Sequence, residues 1–306
     1  MTLKLSHHPW FQLAFQLRGS VIPAILPRAI GCGVVGIAVS ALYTYDIPVA
    51  FPLNSFIPDL VLGLLLVFRT NTAYERFWEG RKLWGNLINT VRNMARQIWI
   101  VVIDQEPGDR TQKIAVLRLL VAFSVATKLH LRHQPINDEL KALISPDQYE
   151  KLSSMNHPPL EIAFWIGDYL QLQYQRDRLN IYHLSNMQNT LNSMIDVLGG
   201  CERILKTPIP LAYAIHLKQI LLIYCLTLPF QMVSNTGWWT GPFVALISFI
   251  VFGVEEIGIE IEDPFGCDPN DLPLDEICKT MLHNIEDLIT LAPCTSSMRY
   301  RESNTH

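Results

Sequence analysis

The feature that most constrains this sequence is an abrupt change in charge at residue 68. Residues 49–68 contain one ionisable side chain, Asp59, whereas six basic side chains and only two acidic ones follow before residue 97. A helix that leaves a bilayer and enters the compartment where positive charge is retained has this pattern. Charged residues make up only 17% of the chain, where about 25% is usual in soluble domains. We therefore expect an all-α integral membrane protein.

Apolar sequence with few charged residues recurs four times and predicts four transmembrane helices. The first stretch contains Gly31, Gly33 and Gly36, and such small residues are common where membrane helices approach closely. Pro58 suits the first turn of the second helix, and no helix-breaking sequence follows it until Pro107. This helix should therefore continue far into the cytosol. The predicted spans are residues 29–48, 57–68, 211–233 and 241–256.

The distribution of Lys and Arg predicts the topology. The two short connectors, DIPVAFPLNSFIPD and SNTGWWTGP, contain neither residue, so both should lie on the non-cytoplasmic side and both termini in the cytoplasm. The stretch 117–126 is apolar but too short to span a bilayer, and we interpret it as a core helix. The predicted parts are an interfacial or cytosolic arm (1–28), a transmembrane hairpin (29–68), a cytosolic helical region (69–206), a second hairpin (207–256) and a cytosolic tail (257–306).

Several functional classes are disfavoured. The sequence contains no GxxxxGK[ST], HExxH or GxSxG motif, so we do not expect an enzyme. A net charge of −4 gives no indication of a nucleic-acid partner. The cysteines have no CxxC spacing and are expected to be free thiols. We see neither a cleaved signal peptide nor a transit peptide, which favours a prokaryotic inner (plasma) membrane or a thylakoid membrane.

Three bulky residues of the second span, Leu60, Leu64 and Phe68, are spaced four apart. On an α-helix they form one slowly rotating apolar stripe. Such a stripe usually packs against neighbouring helices. The alternative is a hydrophobic constriction, in which several copies of the helix surround an axis and gate ions by dewetting. Spacing alone leaves both interpretations open.

Polar side chains near this stripe are candidates for the point where an ion leaves the apolar passage. They are Arg69, Asn71, Thr72 and Arg76. An arginine at a helix exit commonly serves only to anchor topology. Acidic side chains follow the fourth span directly, at Glu255 and Glu256. We expect these two acids to pair with the basic cluster at 69–82.

Metal binding is weakly indicated. His130 and His133 are three apart on a predicted helix, but no Cys or carboxylate accompanies them at ligand spacing. Solvated or core histidines are the favoured interpretation. We therefore expect no cofactor from the residue pattern.

Three segments together resemble the bestrophin family in its prokaryotic and chloroplast branch. They are FRTNTAYERFWEGRKLWG (68–85), TPIPLAY (207–213) and FGVEEIGIEIEDPFG leading into CDPNDLPLD (252–275). They occur in family order, and the four-span layout agrees over nearly the whole chain.

The resemblance implies a homopentamer around a central pore, with a transmembrane neck lined by the second helix of each subunit. By position, the neck matches Leu60, Leu64 and Phe68. A second, cytosolic aperture should fall just before TPIP, at Ile204, Leu205 and Thr207. The expected function is passive conduction of monovalent anions such as chloride; the chloroplast relatives are voltage-dependent chloride channels. A monovalent cation channel of the same fold and a non-conducting membrane scaffold are the alternatives.

The resemblance also raises calcium, because animal bestrophins are calcium-gated through an acidic run after PFG. Here Pro269 and Asn270 interrupt that run. Asp268 and Asp271 are the remaining calcium candidates. Two carboxylates are too few to form the carboxylate-rich set of oxygen ligands that Ca²⁺ requires. We therefore expect no calcium cofactor.

Overall fold

A computed structural model describes residues 10, 12, 15–51 and 56–290. Within these residues the regular secondary structure is helical, and a single 3-10 turn, Gly237–Trp239, joins two helices. Most of the first 14 residues of the predicted arm, and residues 291–306 of the predicted tail, lie outside the described part. The α-helices are α1 (Ile22–Thr44), α2 (Phe56–Val101), α3 (Asp109–Leu131), α4 (Asp138–Lys141), α5 (Pro146–Ser153), α6 (Pro158–Gln175), α7 (Ile181–Lys206), α8 (Leu211–Thr236), α9 (Thr240–Glu260) and α10 (Leu274–Thr290).

The chain divides into two compact units. The first unit comprises Met1–Glu79 and Thr207–Asp271, and the second comprises Gly80–Lys206 and Leu272–His306. Helix α2 is continuous through the change from one unit to the other. The helices of the two units pack through different kinds of contact.

In the first unit, α1 packs most extensively against α9, and both also pack against α8. Glycines allow this close approach. A Cβ added at Gly36 would lie 2.8 Å from the Cα of Gly241, and one added at Gly241 would lie 2.5 Å from Cγ1 of Ile37. Because lipid tails are as apolar as helix surfaces, the hydrophobic effect does not drive membrane helices together. Close backbone packing of this kind must therefore supply much of their attraction.

Three described stretches are long and apolar enough to cross a membrane: Ile22–Thr44, Asp109–Leu131 and Leu211–Glu260. The last contains both α8 and α9. Helix α2 does not meet this criterion among the described residues, because its apolar part ends at Phe68 and charged residues follow at once. The thirteen helical residues from Phe56 to Phe68 rise only about 20 Å, less than the hydrocarbon core of about 30 Å.

In the second unit, α3 is the central helix and packs against α6, α7 and α10. Most of its apolar side chains are buried, and Leu117, Leu120 and Phe123 are completely so. This agrees with the interpretation of residues 117–126 as a core helix. Burial within its own unit explains the apolar sequence of α3 without a membrane.

Candidate functional site: one face of helix α2

The first turns of α2 have two different faces. Leu62 and Leu66 are only 3% and 6% exposed and belong to a core cluster with Ile25, Leu221 and Phe252 of α1, α8 and α9. The hydroxyl of Tyr213 on α8 also donates a hydrogen bond to the carbonyl of Leu65 at 3.0 Å. Apolar packing and this bond together fix the rotation of α2 about its axis.

The opposite face carries the predicted stripe. Leu60, Leu64 and Phe68 are 58%, 53% and 56% exposed. These three side chains therefore do not pack into the core of their own chain. An apolar stripe left uncovered in this way needs lipid, another subunit or a narrow dewetted passage against it.

The arginines after the stripe do not face outward as a cluster. Arg69 is only 4% exposed, and its Nη2 lies 2.5 Å from Oε2 of Glu262. Arg76 donates from Nε to the carbonyl of Glu262 at 3.2 Å, and from Nη1 to the carbonyl of Thr207. Both arginines thus join α2 to the segments that flank α8 and α9. The charge of Arg69 is offset by a carboxylate and is not presented to a passing ion.

Asn71 and Thr72 remain exposed, as the exit prediction requires. The hydroxyl of Thr72 donates to the carbonyl of Phe68 at 2.9 Å, one turn back. The amide nitrogen of Asn71 donates to Oε1 of Glu75 at 3.1 Å. Polar groups therefore begin directly after the last apolar residue of the stripe.

The expected pairing of Glu255 and Glu256 with residues 69–82 is wrong for Glu256. Its carboxylate pairs with Arg28 of the N-terminal segment of α1 at 2.8 Å. Glu255 is 3% exposed and lies in the interior of the first unit. The two acids sit within α9, whereas the carboxylate that pairs with Arg69, that of Glu262, follows the end of that helix.

Glu262 is the functional residue that the sequence prediction missed. One carboxylate oxygen binds Arg69, and the other accepts the backbone N–H of Ile209 at 3.1 Å. Glu262 follows the end of α9 by two residues. A single carboxylate therefore holds three segments together at the base of the stripe. Its position in FGVEEIGIEIEDPFG, the motif that carried the resemblance, was the available signal.

The predicted aperture residues differ in exposure. Ile204 is 4% exposed and belongs to the core of the second unit, whereas Leu205 is half-buried. Thr207 is exposed and follows directly after the end of α7. Ile204 thus lies behind the surface, and Leu205 and Thr207 are closer to it.

The calcium candidates lie in a tight loop. Oδ2 of Asp271 accepts the backbone N–H of Asp268 at 2.7 Å, and a Cβ added at Gly266 would lie 2.5 Å from the same oxygen. Burial raises the pKa of Asp271 to about 6, with nearby carboxylates such as Asp268 and Asp263 acting in the same direction. The loop is also tied to residue 19, because Asn270 donates to the carbonyl of Gly19 at 3.2 Å.

A polar groove of about 390 Å³ lies on the second unit between α2 and α7. Amide and hydroxyl side chains line it, together with one cation, Arg96. None of the described residues that line the groove is acidic. Donor groups of this kind solvate anions well.

The comparisons with known proteins decide the family. The sequence model described as Bacterial/Fungal Bestrophin protein matches residues 1–287. The chain belongs to the bestrophin family. It is thus an integral membrane protein of a channel family and not an enzyme, as the sequence predicted.

Named relatives and solved structures show what this bestrophin resembles. It is 63% identical to a voltage-dependent anion channel-forming protein of Nostoc sp., over 96% of this chain and 95% of that protein. A protein of the same description from Synechocystis sp. is 54% identical, over 94% and 96%. A bacterial bestrophin homologue from Klebsiella pneumoniae, with one tryptophan replaced by alanine, superposes with a TM-score of 0.82. That match has 28% identity and covers 89% of this chain and 99% of the other.

Proposed function

We propose that this bestrophin is a homopentameric channel that conducts monovalent anions, chloride above all, passively across a membrane. Relatives that share 63% and 54% of its sequence are named voltage-dependent anion channel-forming proteins. In this proposal the α2 helices of five subunits surround one axis. Leu60, Leu64 and Phe68 form three successive apolar rings of the neck.

The exposure of the stripe is the observation that carries the proposal. Packing inside the chain was the ordinary interpretation of its spacing, but the other face of α2 performs that role through Leu62 and Leu66. The exposed residues of α2 then change from apolar to polar directly after Phe68, at Asn71 and Thr72. A neck that opens into a water-filled vestibule requires such a change.

Selectivity for anions should come from neutral donors more than from the arginines after the neck. Arg69 is paired with Glu262, so its field is largely cancelled. The polar groove between α2 and α7 offers amide and hydroxyl donors with Arg96, and none of its described lining residues is an acid. We place this groove along the cytosolic part of the ion path.

We place the cytosolic aperture at the end of α7, with Leu205 and Thr207 as its lining and Ile204 as the buried support behind them. Proline residues at 208 and 210 end the helix there. We retain four spans with both termini in the cytoplasm, because neither connector contains Lys or Arg. A prokaryotic inner or a thylakoid membrane is the proposed location.

Single-channel recording tests the neck. Purified full-length protein in planar bilayers should pass larger currents after Leu64→Ala and Phe68→Ala together, because the narrowest apolar rings become wider and easier to wet. We expect conductance to rise at least about twofold.

Ile223→Ala is the matched control. Ile223 is an apolar residue of α8 with 62% exposure, and it lies outside the proposed neck. Its replacement should leave conductance unchanged. If the double variant conducts like the wild type, or if Ile223→Ala raises conductance equally, the neck assignment is wrong.

A further inference from the structure

Two histidines and a glutamate from distant parts of the second unit meet at one point. Nε2 of His130, in the last turn of α3, lies 2.7 Å from Oε1 of Glu202 on α7. Nε2 of His157, at the start of α6, lies 2.8 Å from the same oxygen. The two imidazole rings are 4.4 Å apart between centroids.

The local pair of His130 and His133, which the sequence pattern disfavoured as a metal site, is therefore not the relevant one. His133 follows the end of α3 with a positive φ of 53°, which turns the chain away from the helix. The partners of His130 come instead from two other helices. Glu202 is 72 residues away along the chain from His130 and 45 from His157.

The chemistry of this cluster suits a metal ion. The two imidazole nitrogens and a carboxylate oxygen all lie within 4.8 Å of one another. Two histidines and one carboxylate are an established ligand set for Zn²⁺ and related divalent transition metals, with a fourth position left for water. We propose that His130, His157 and Glu202 bind a divalent transition-metal ion that joins α3, α6 and α7.

The surroundings allow an ion to enter. The three side chains are partly exposed, at 22%, 35% and 18%. His130 also lines a cavity of about 470 Å³ that is partly open to solvent. An ion can therefore reach the imidazole nitrogens without unfolding of the unit.

The charge balance at Glu202 also permits binding. Oε1 of Glu202 is the oxygen shared by the two imidazoles. Lys206 contacts the other oxygen, Oε2, at 3.2 Å, and its side chain is 67% exposed. It can move toward solvent when an ion binds Oε1.

A metal-free cluster held by hydrogen bonds is the competing interpretation. In that case both rings carry a proton on Nε2 and donate to the shared oxygen. Metal binding instead requires the Nε2 lone pairs, so the two arrangements differ in their affinity for added ions and in their spectra.

The test uses untagged, full-length protein treated with a chelator and purified in detergent at pH 7.5. Zn²⁺ binding is measured by equilibrium dialysis with elemental analysis, and Co²⁺ is added in parallel for its visible absorption. We expect about one Zn²⁺ per subunit with a Kd below about 10 µM. The Co²⁺ complex should show the intense bands of a four-coordinate site.

The variants His157→Gln and Glu202→Gln should each weaken Zn²⁺ binding at least about a hundredfold. His133→Gln is the matched control, because His133 lines the same cavity but lies outside the cluster. It should bind Zn²⁺ like the wild type, and circular dichroism should show equal helix content in all variants.

Wild-type binding weaker than about 10 µM would overturn the proposal. So would Zn²⁺ binding that His157→Gln and Glu202→Gln leave unchanged, or a loss in His133→Gln as large as theirs. These results concern binding alone, so they stand whether or not the protein conducts ions.

Discussion

Helices α1 and α3 have equal length and similarly apolar sequences, but their surroundings are opposite. Each has 23 residues, and each is apolar enough to cross a membrane. In the most apolar part of α1 only 39% of residues are buried within the chain, compared with 78% in α3. Hydropathy alone thus cannot distinguish a helix that faces lipid from one that forms a soluble core.

The two helices also use different contacts. Helix α1 approaches α9 through glycines, with backbone close to backbone. Helix α3 buries large side chains and ends in an ion-pair cluster, where Lys128 is 1% exposed and contacts Glu139 and Asp275. The following substitutions test this contrast, beginning with the largest expected effect.

Gly36→Ala should strongly destabilise the first unit. The new Cβ would lie 2.8 Å from the Cα of Gly241 and 3.2 Å from its nitrogen, so α1 and α9 must move apart. We expect a loss of about 3 kcal/mol in the free energy of unfolding, at the upper end of overpacking costs. Thermal unfolding of the detergent-solubilised protein measures it.

Gly31→Ala is the matched control on the same helix. A Cβ at Gly31 meets nothing within 4 Å, so this variant should be neutral or slightly stabilised by the higher helix propensity of alanine. Equal melting temperatures for the two variants would show that close packing of α1 on α9 does not hold the first unit together.

Lys128→Met should destabilise the second unit by about 2 kcal/mol, because it removes the buried ammonium and leaves two carboxylates without this charged hydrogen-bond donor. Nζ of Lys128 lies 2.5 Å from Glu139 and 2.7 Å from Asp275. Lys279→Met provides the comparison, since Lys279 is 61% exposed and pairs with Glu276 of its own helix. Chemical denaturation should show a change within about 0.5 kcal/mol for it. An equal loss in both variants would contradict a buried ion-pair role.

Acid should weaken the second unit through Asp275. Burial opposes ionisation of Asp275, but hydrogen bonds from Lys128 and Arg132 lower its pKa from 3.8 to about 2. Because the folded pKa lies below the ordinary value, this stabilisation is complete above about pH 4. It is lost as the pH falls through about 2.

Asp275→Asn removes this titration. Its stability should therefore fall less than that of the wild type between pH 5 and pH 3, as measured by melting temperature. The difference should stay below about 1 kcal/mol because Asp275 is half exposed and solvent screens its pairs. A steeper fall in Asp275→Asn than in the wild type would contradict the ion-pair account.

Local sequence patterns were enough to predict much of the fold. Apolar stretches with few charges predicted the apolar helices, and the spacing of Leu60, Leu64 and Phe68 predicted a continuous stripe. The membrane family could be identified from three motifs. These features depend on residues that are neighbours along one helix, so periodicity is enough to detect them.

Contacts between distant segments could not be predicted in the same way. Glu262 reaches Arg69 across 193 residues, and no spacing rule distinguishes it from Glu255 or Glu256. The cluster of His130, His157 and Glu202 lies on three helices, whereas the sequence offered only the local pair of His130 and His133. The burial of Ile204 likewise depends on packing within the second unit.

Reversal potential under a tenfold KCl gradient tests the central claim most directly. With purified protein in planar bilayers, we predict a reversal potential close to the chloride equilibrium potential, about 59 mV from zero with the sign set by the gradient. The same sign should persist in the Leu64→Ala, Phe68→Ala double variant. A reversal potential near that of potassium, or bilayers that stay silent, would contradict the account of an anion channel.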